Sequence, residues 1–381
     1  MEKRVIYLDN AAATPLDTKV FTAMRPYFYE KFHNPSALYL AAKDVAKDIA
    51  AARNQIASHF GSRSAEVVFT AGGTEANNLA IHGVMQQYPD ANIVVSSIEH
   101  EAVLKPAHHY NYKEVPVLPD GQINLAELEK LIDDKTVLVS VMYANNEVGT
   151  IQPIRQINQL LTRLRKRRKN NGNDLPLYFH TDACQATLYL DLHAARLGVD
   201  MMTINGSKMY GPKQVGALYI RAGIQLAPQV LGGGQEYGMR SGTENVPGVI
   251  GLAAALDLAQ ANRTQEVARL QKLQKTLIDE LEKAVPNVQV NGSRKARLPN
   301  NVHITIPGSD NERLIMALDE AGIQAAAGSA CSASSEEPSH VLKAMGLSDQ
   351  EAQSSLRFTM GRSTTEQDIH TTVDTLAQLI V

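Results

Sequence analysis

The chain has 381 residues, with 37 basic and 40 acidic side chains and a formal net charge of -3. Its composition therefore carries no global bias toward nucleic acid or acidic membranes, and small molecules and proteins remain as partners. The 44% apolar content is enough for two cores, and no apolar run approaches a membrane span. Two cysteines, Cys184 and Cys331, and a start without a charged-then-apolar leader predict a reduced, cytoplasmic protein.

After "VIYLDNAAATP", the first clear strand signal is "EVVFT", and "TAGGTEANN" follows it into a helical pattern. Gly72, Gly73 and Thr74 thus sit between strand and helix, where free N–H groups and a hydroxyl converge on an anion. The spacing is neither a Walker A loop nor the dinucleotide fingerprint, and an ordinary tight turn is the alternative reading. "NIVVSS" is the next strand, and then "EHEAVLKPAHH". A zincin helix needs a second histidine four residues after His100, where this chain has Leu104, so no metal site is expected. "KTVLVSVMYA" is followed by a helix ending in "RLRKRRKNNGND", a basic run without interleaved aromatics. That run reads as a solvated helix end, where cations suit the dipole. "LPLYFHTDA" puts Asp182 at a strand end with Gln185 just beyond, "DMMTING" leads to Lys208 and a Gly-Pro turn, and "VGALYIR" follows.

Short β-branched runs alternating with helix-period segments predict an α/β fold with a mostly parallel sheet. From Val249 a long amphipathic helix takes over, followed by "NVQVNG", "NNVHITI", "NERLIMALDEAGI", "SLRFTM" and a last helix from Thr364. The expected organisation is a large domain over 16–250 and a smaller α+β domain formed by 1–15 plus 251–381.

An acid, a lysine and a phosphate cradle at neighbouring strand ends suit pyridoxal phosphate. Lysine forms the Schiff base, the carboxylate keeps the pyridine nitrogen protonated, and N–H groups grip the phosphate. Each piece alone is more often structural. Late in the chain, "AAAGSACSASSEEPS" surrounds Cys331 with Ala, Gly and Ser. Such residues have little apolar area with which to bury a thiol, so the stretch reads as a loop presenting the sulfur, with an incidental thiol as the bland alternative. Cys184 reads as a packed strand-end residue.

The motifs "YLDNAAATP", "HNPS", "TAGGTEANN", "EHEAVL", "NNEVGTIQP", "DACQA", "SKMYGPK", "GGGQEYGMRSGTENV", "GSACSASS" and "SSLRFTMGR", in this order, resemble the NifS/IscS-type cysteine desulfurases. These are class V, fold-type I pyridoxal-phosphate enzymes with a large cofactor domain and a smaller C-terminal one. The resemblance implies that Lys208 forms the Schiff base, Asp182 pairs with the pyridine nitrogen and Gln185 bonds the ring hydroxyl. It implies that His100 stacks on the ring and relays protons. Gly73, Thr74, Asn205 and Ser207 would lie on the phosphate side, and Thr243 would reach the partner subunit's phosphate in a homodimer. Arg357, with Asn146 and Asn34, would take the carboxylate of L-cysteine, an arginine fork suiting that task. Cys331 would accept sulfur as a persulfide, release L-alanine and swing outward to pass sulfur to an acceptor protein, in iron-sulfur assembly or thiolation. Relatives with the same cofactor, such as selenocysteine lyases or aminotransferases, are the alternative, as is a weakly catalytic sulfur-transfer partner.

Three departures from the family pattern stand out. Asn205-Gly206-Ser207-Lys208 replaces the usual Ser-x-His-Lys. The chain stops at Val381, just after the last helix, where scaffold-serving members carry a further segment. "RLRKRRKNNGNDLPL" is longer than the usual connection and reads as a surface insertion.

Overall fold

Strands made of consecutive apolar residues must be covered on both faces, and that requirement organises this protein. The computed structural model describes residues 4–328 and 338–380. Its strands, in chain order, are β1 (Ile6–Tyr7), β2 (Val67–Thr70), β3 (Asn92–Ser96), β4 (Asn111–Val115), β5 (Thr136–Ser140), β6 (Tyr178–Asp182) and β7 (Met201–Asn205). They continue with β8 (Gly216–Ile220), β9 (Gln289–Val290), β10 (Asn301–Thr305), β11 (Ile323–Gln324) and β12 (Ser355–Thr359). Among the described residues seven strands form the main sheet, in the order β2-β8-β7-β6-β5-β3-β4. Every residue of β2, β3, β5 and β8 is buried.

The pairs β3/β4, β3/β5, β5/β6 and β6/β7 are parallel, while β8 runs antiparallel to both β7 and β2. The reversal follows from chain length: the Gly206–Val215 connection is shorter than the crossover of about a dozen residues that a parallel return needs. Because β8 opposes both neighbours, β2 points the same way as β7. The C-terminal ends of β2, β3, β5, β6 and β7 therefore share one edge of the sheet, where open α/β sheets bind ligands.

The long helix Val246–Ala284 begins three residues before the expected Val249, with Asn245 Oδ1 accepting from the Gly248 N–H at 3.1 Å. It packs against helices Leu40–Phe60, Thr18–Met24 and Glu366–Ile380. A second sheet, β12-β10-β9, is antiparallel, and β1 pairs in parallel with β11, so the N-terminal strand joins the C-terminal unit. The last helix starts at Glu366 rather than Thr364; Thr365 and Asp368 cap it reciprocally, each side chain accepting from the other's N–H.

The basic run is not uniformly solvated. The helix Ile154–Asn170 buries Arg168, which donates to the carbonyls of Thr136 (2.7 Å) and Asp133. Arg165 bonds the Leu177 carbonyl at 2.8 Å and Asp200 at 2.7 Å. Two of the arginines thus tie the helix to the sheet, and only their neighbours face outward.

Candidate active site

The edge of parallel strand ends carries the residues singled out in the sequence. Past β2, Gly72 turns with φ +139°, a conformation that favours glycine, and starts the helix Gly73–Met85. The first intrahelical bond runs from the Ala76 N–H to the Gly72 carbonyl at 3.1 Å. The N–H groups of Gly73 and Thr74 thus have no helical carbonyl to bond. A side chain on Gly73 would put its Cβ 2.8 Å from Cys184 Sγ, so this close approach also requires glycine.

At the end of β6, the Asp182 carboxylate is held at both oxygens. Oδ2 accepts from Asn77 Nδ2 at 2.7 Å and Oδ1 from the Cys184 N–H at 2.9 Å. Beneath it, His180 bridges Ser140 Oγ (2.8 Å) and Thr203 Oγ1 (3.0 Å) with its two ring nitrogens, and burial lowers its pKa to about 4. Burial, followed by the nearby Asp182 charge, pushes the Cys184 thiol well above its ordinary range. Cys184 packs against Gly73 at the strand end and borders the cavity.

His100 caps the helix Glu101–Ala107, its Nδ1 accepting from the Ala102 N–H at 3.0 Å. An accepting Nδ1 places the neutral ring's proton on Nε2. The preceding Glu99 is fully buried; Oε1 accepts from the Met142 N–H at 2.6 Å, while Oε2 has no partner among the described residues. Burial, with Asp182 nearby, pushes its carboxyl well up, toward the protonated form.

Lys208 ends the single 3-10 turn Gly206–Lys208, and its Nζ donates to the Ala12 carbonyl. Asn205 caps this turn, accepting at Oδ1 from both the N–H and the Oγ of Ser207, each at 3.2 Å. Gln185 Nε2 donates to the Ala11 carbonyl at 3.0 Å. Arg357, on β12, is 1% exposed. Its guanidinium donates to Asp9 Oδ1 (2.7 Å) and to the Asn146 carbonyl (3.0 Å), and among the described residues its Nε has no partner. One cavity is lined by Gly73, Thr74, His100, Asn146, Asp182, Gln185, Asn205, Lys208 and Arg357 together.

Ser207 is not part of that lining but lines an adjoining cavity with Gly73, Thr74 and Asn205, its hydroxyl donating to Asn205 Oδ1. Asn34 and Thr243 are exposed and also outside the cavity, Asn34 bonding the Ser36 N–H at 2.9 Å. Cys331 lies outside the described residues. The backbone on either side of its segment is anchored at this site. Ala326 pairs with Arg357 in both directions (2.6 and 3.2 Å), and Ser339 Oγ donates to Glu147 Oε2 at 2.5 Å, next to Asn146. His340 Nε2 lies 2.9 Å from the Glu99 carbonyl.

The donor set fits pyridoxal phosphate: N–H groups for an anion, a held carboxylate for a pyridine nitrogen, and a lysine amine in the same cavity. Arg357 Nε, buried beside them, has no partner among the described residues. Sequence reasoning missed Asp9, Asn77 and Glu99. Their motifs were quoted, but nothing in a linear sequence distinguishes a buried carboxyl or amide from a capping one.

The family model "Aminotransferase class-V" matches residues 6–371. The curated cysteine desulfurase IscS of Dictyoglomus turgidum is 41% identical over 99% of this chain and 95% of its own length. The chain belongs to the class-V aminotransferase family, in its cysteine desulfurase branch. Cysteine desulfurase IscS 1 of Archaeoglobus fulgidus agrees, at 38% identity over 98% of this chain and 96% of that protein. A NifS-like protein from Rickettsia africae has the same fold, with TM-score 0.88, 32% identity and 99% of both chains covered. The resemblance and the fold class expected from the sequence both hold. Among the described residues no helix is long and apolar enough to cross a membrane, and no cluster of metal-binding side chains occurs.

Proposed function

We propose that this protein is a pyridoxal-phosphate-dependent cysteine desulfurase that converts L-cysteine to L-alanine and passes the sulfur, through Cys331, to an acceptor protein. The observation that carries the reading is the meeting of Lys208, Asp182, Arg357 and the first turn of the helix Gly73–Met85 in one cavity.

Bound pyridoxal phosphate supplies an electron-accepting ring that stabilises negative charge on a substrate's α-carbon. The N–H groups of Gly73 and Thr74 and the Asn205 amide would hold the phosphate. Asp182, oriented by its Asn77 and backbone donors, would pair with the pyridine nitrogen. Gln185, whose amide nitrogen is spent on Ala11, has its Oε1 for the ring hydroxyl. Lys208 would anchor the ring and move the proton at the substrate's α-carbon, and His100 would relay a proton from Nε2. Arg357, supported by Asn146, would orient the substrate carboxylate.

Cys331 thiolate would then attack the substrate sulfur. The new S–S bond forms as the substrate's C–S bond breaks, and the carbon takes a proton. Protein thiol plus cysteine thus become protein persulfide plus alanine, and no external oxidant enters.

Domain limits of 16–250 and 1–15 plus 251–381 suit this division of labour, with the cofactor in the larger part. A homodimer is supported by large apolar side chains left in solvent, among them Phe32, Leu38, Leu40 and Leu231, with Leu38 87% exposed. Thr243, exposed and outside its own chain's cavity, and Asn34 would serve across that interface. Two cysteines in this number of residues suit a cytoplasmic setting.

The test is to add L-cysteine to the protein loaded with pyridoxal phosphate, without reductant, and to count alanine and persulfide. One alanine per persulfidated Cys331, followed by turnover when a thiol acceptor is added, supports the proposal. Loading without alanine release sinks it.

A further inference from the structure

Within the proposed cofactor site, and resting on that reading, the turn before Lys208 carries a hydrogen-bond arrangement specific to this chain's Asn205-Gly206-Ser207-Lys208. A backbone N–H can only donate, so the 3.2 Å contact from the Ser207 N–H identifies the Asn205 atom facing it as the carbonyl oxygen. The Ser207 hydroxyl donates to the same oxygen, also at 3.2 Å. With Oδ1 taken twice, the amide nitrogen points the other way. A methyl group placed on Gly73 would lie 3.5 Å from Asn205 Nδ2, so Nδ2 faces the first turn of the helix Gly73–Met85. Nδ2 makes no hydrogen bond to protein among the described residues and borders the cavity with Gly73 and Thr74.

We propose that Ser207 is a positioning residue of this site: its N–H and hydroxyl hold the Asn205 amide with Nδ2 turned toward the Gly73 and Thr74 N–H groups. Ser207 thereby acts on the phosphate through Asn205, in the cavity that it lines with Gly73 and Thr74. An asparagine without donors on Oδ1 could turn its carbonyl oxygen toward the phosphate, where an acceptor facing an anion is repelled. Two donors on Oδ1 remove that alternative. The chain thereby does without a cationic side chain at position 207, using a fixed neutral dipole whose strength does not change with pH.

The experiment compares release of pyridoxal phosphate with that of pyridoxal, which lacks the phosphate, from wild type, Asn205→Asp, Ser207→Ala and Ser207→Thr, followed by absorbance during dialysis at pH 6.5 and 8. Asn205→Asp keeps the shape, swaps the donor for a charge and should release pyridoxal phosphate about 100-fold faster. Ser207→Ala leaves the backbone donor and should accelerate release about 10-fold, with Ser207→Thr restoring retention. Pyridoxal should leave all four proteins at similar rates. Equal acceleration for both compounds in Asn205→Asp would mean a damaged pocket and overturn the proposal, as would retention in Ser207→Ala equal to wild type. If wild type forms no reducible bond with either compound, the proposed function fails instead, and that outcome is read before any variant is compared.

Discussion

Arg357 and Asp9 form an ion pair of 2.7 Å between β12 and the segment after β1, with the guanidinium 1% exposed. The pair fixes the fork, and among the described residues the Nε has no partner. Breaking a buried pair by removing one partner leaves an uncompensated charge, which can cost about 3–5 kcal/mol. Asp9 is partly exposed, so Asp9→Asn should destabilise by about 1–3 kcal/mol in a urea titration at pH 7. Arg357→Lys keeps the charge but loses the planar fork, and the KM for L-cysteine should rise about tenfold or more, with a smaller change in kcat. An unchanged KM would remove Arg357 from substrate binding.

Lys208 should be the residue that carries the cofactor. Borohydride treatment of the loaded protein, followed by peptide mapping, should label the peptide containing Lys208, and Lys208→Ala should lose both label and turnover. A label on Lys213 would assign the anchor to the wrong lysine.

Cys331→Ala should bind pyridoxal phosphate like wild type and change its absorbance on addition of L-cysteine, yet release no alanine above background. The substrate would be held without its nucleophile. Undiminished alanine formation would exclude Cys331 as sulfur acceptor.

Acid should weaken the fold through the buried histidines. His180, at about 4 in the folded protein, and His303, at about 3, both titrate well below the ordinary value near 6.5 because burial disfavours their charged forms. The unfolded chain therefore binds more protons below pH 6.5. Their contribution is fully present above that pH and is lost as pH falls toward 4, at roughly 3 kcal/mol for His180 alone. Urea unfolding between pH 7 and 4 should show this slope, and His180→Asn should flatten it. A wild-type slope equal to that of His180→Asn would mean that His180 is not buried neutral.

Glu99 works in the opposite sense. Its folded carboxyl titrates above its unfolded value, so its contribution is present below pH 4.5 and is lost as pH rises through the folded pKa. Glu99→Gln, with the shape of the protonated acid, should raise the Tm at pH 8 relative to wild type and leave it nearly unchanged at pH 4.5. A lower Tm at pH 8 would show that Glu99 is held ionised.

The sequence made the central sheet readable because β2, β3, β5, β7 and β8 are short, mostly apolar runs between turns. The strand β4, "NYKEV", escaped notice because it is an exposed edge whose tyrosine, lysine and glutamate serve to keep the edge soluble. The pairing of β1 with β11 joins residues more than 300 positions apart and leaves no local trace. In the site, Lys208 and Asp182 were legible from their strand ends, and Gly73 from its turn. The inward turn of Arg168 and the role of Asp9 were not, since both depend on which neighbour lies across a gap that only the folded chain closes.

The fastening of Ala326 to Arg357 and of Ser339 to Glu147 fixes the length of a leash. Five peptide units separate Ala326 from Cys331, and at about 3.6 Å or less apiece they confine the cysteine's Cα to within roughly 18 Å of that of Ala326. The C-terminal arm is longer, so the shorter arm sets the radius. If Cys331 passes sulfur to a protein as proposed, that acceptor would have to bring its own thiol close to the substrate cavity. The faces bordering the cavity, and not the remote surface of the large sheet, would then be where acceptors are selected.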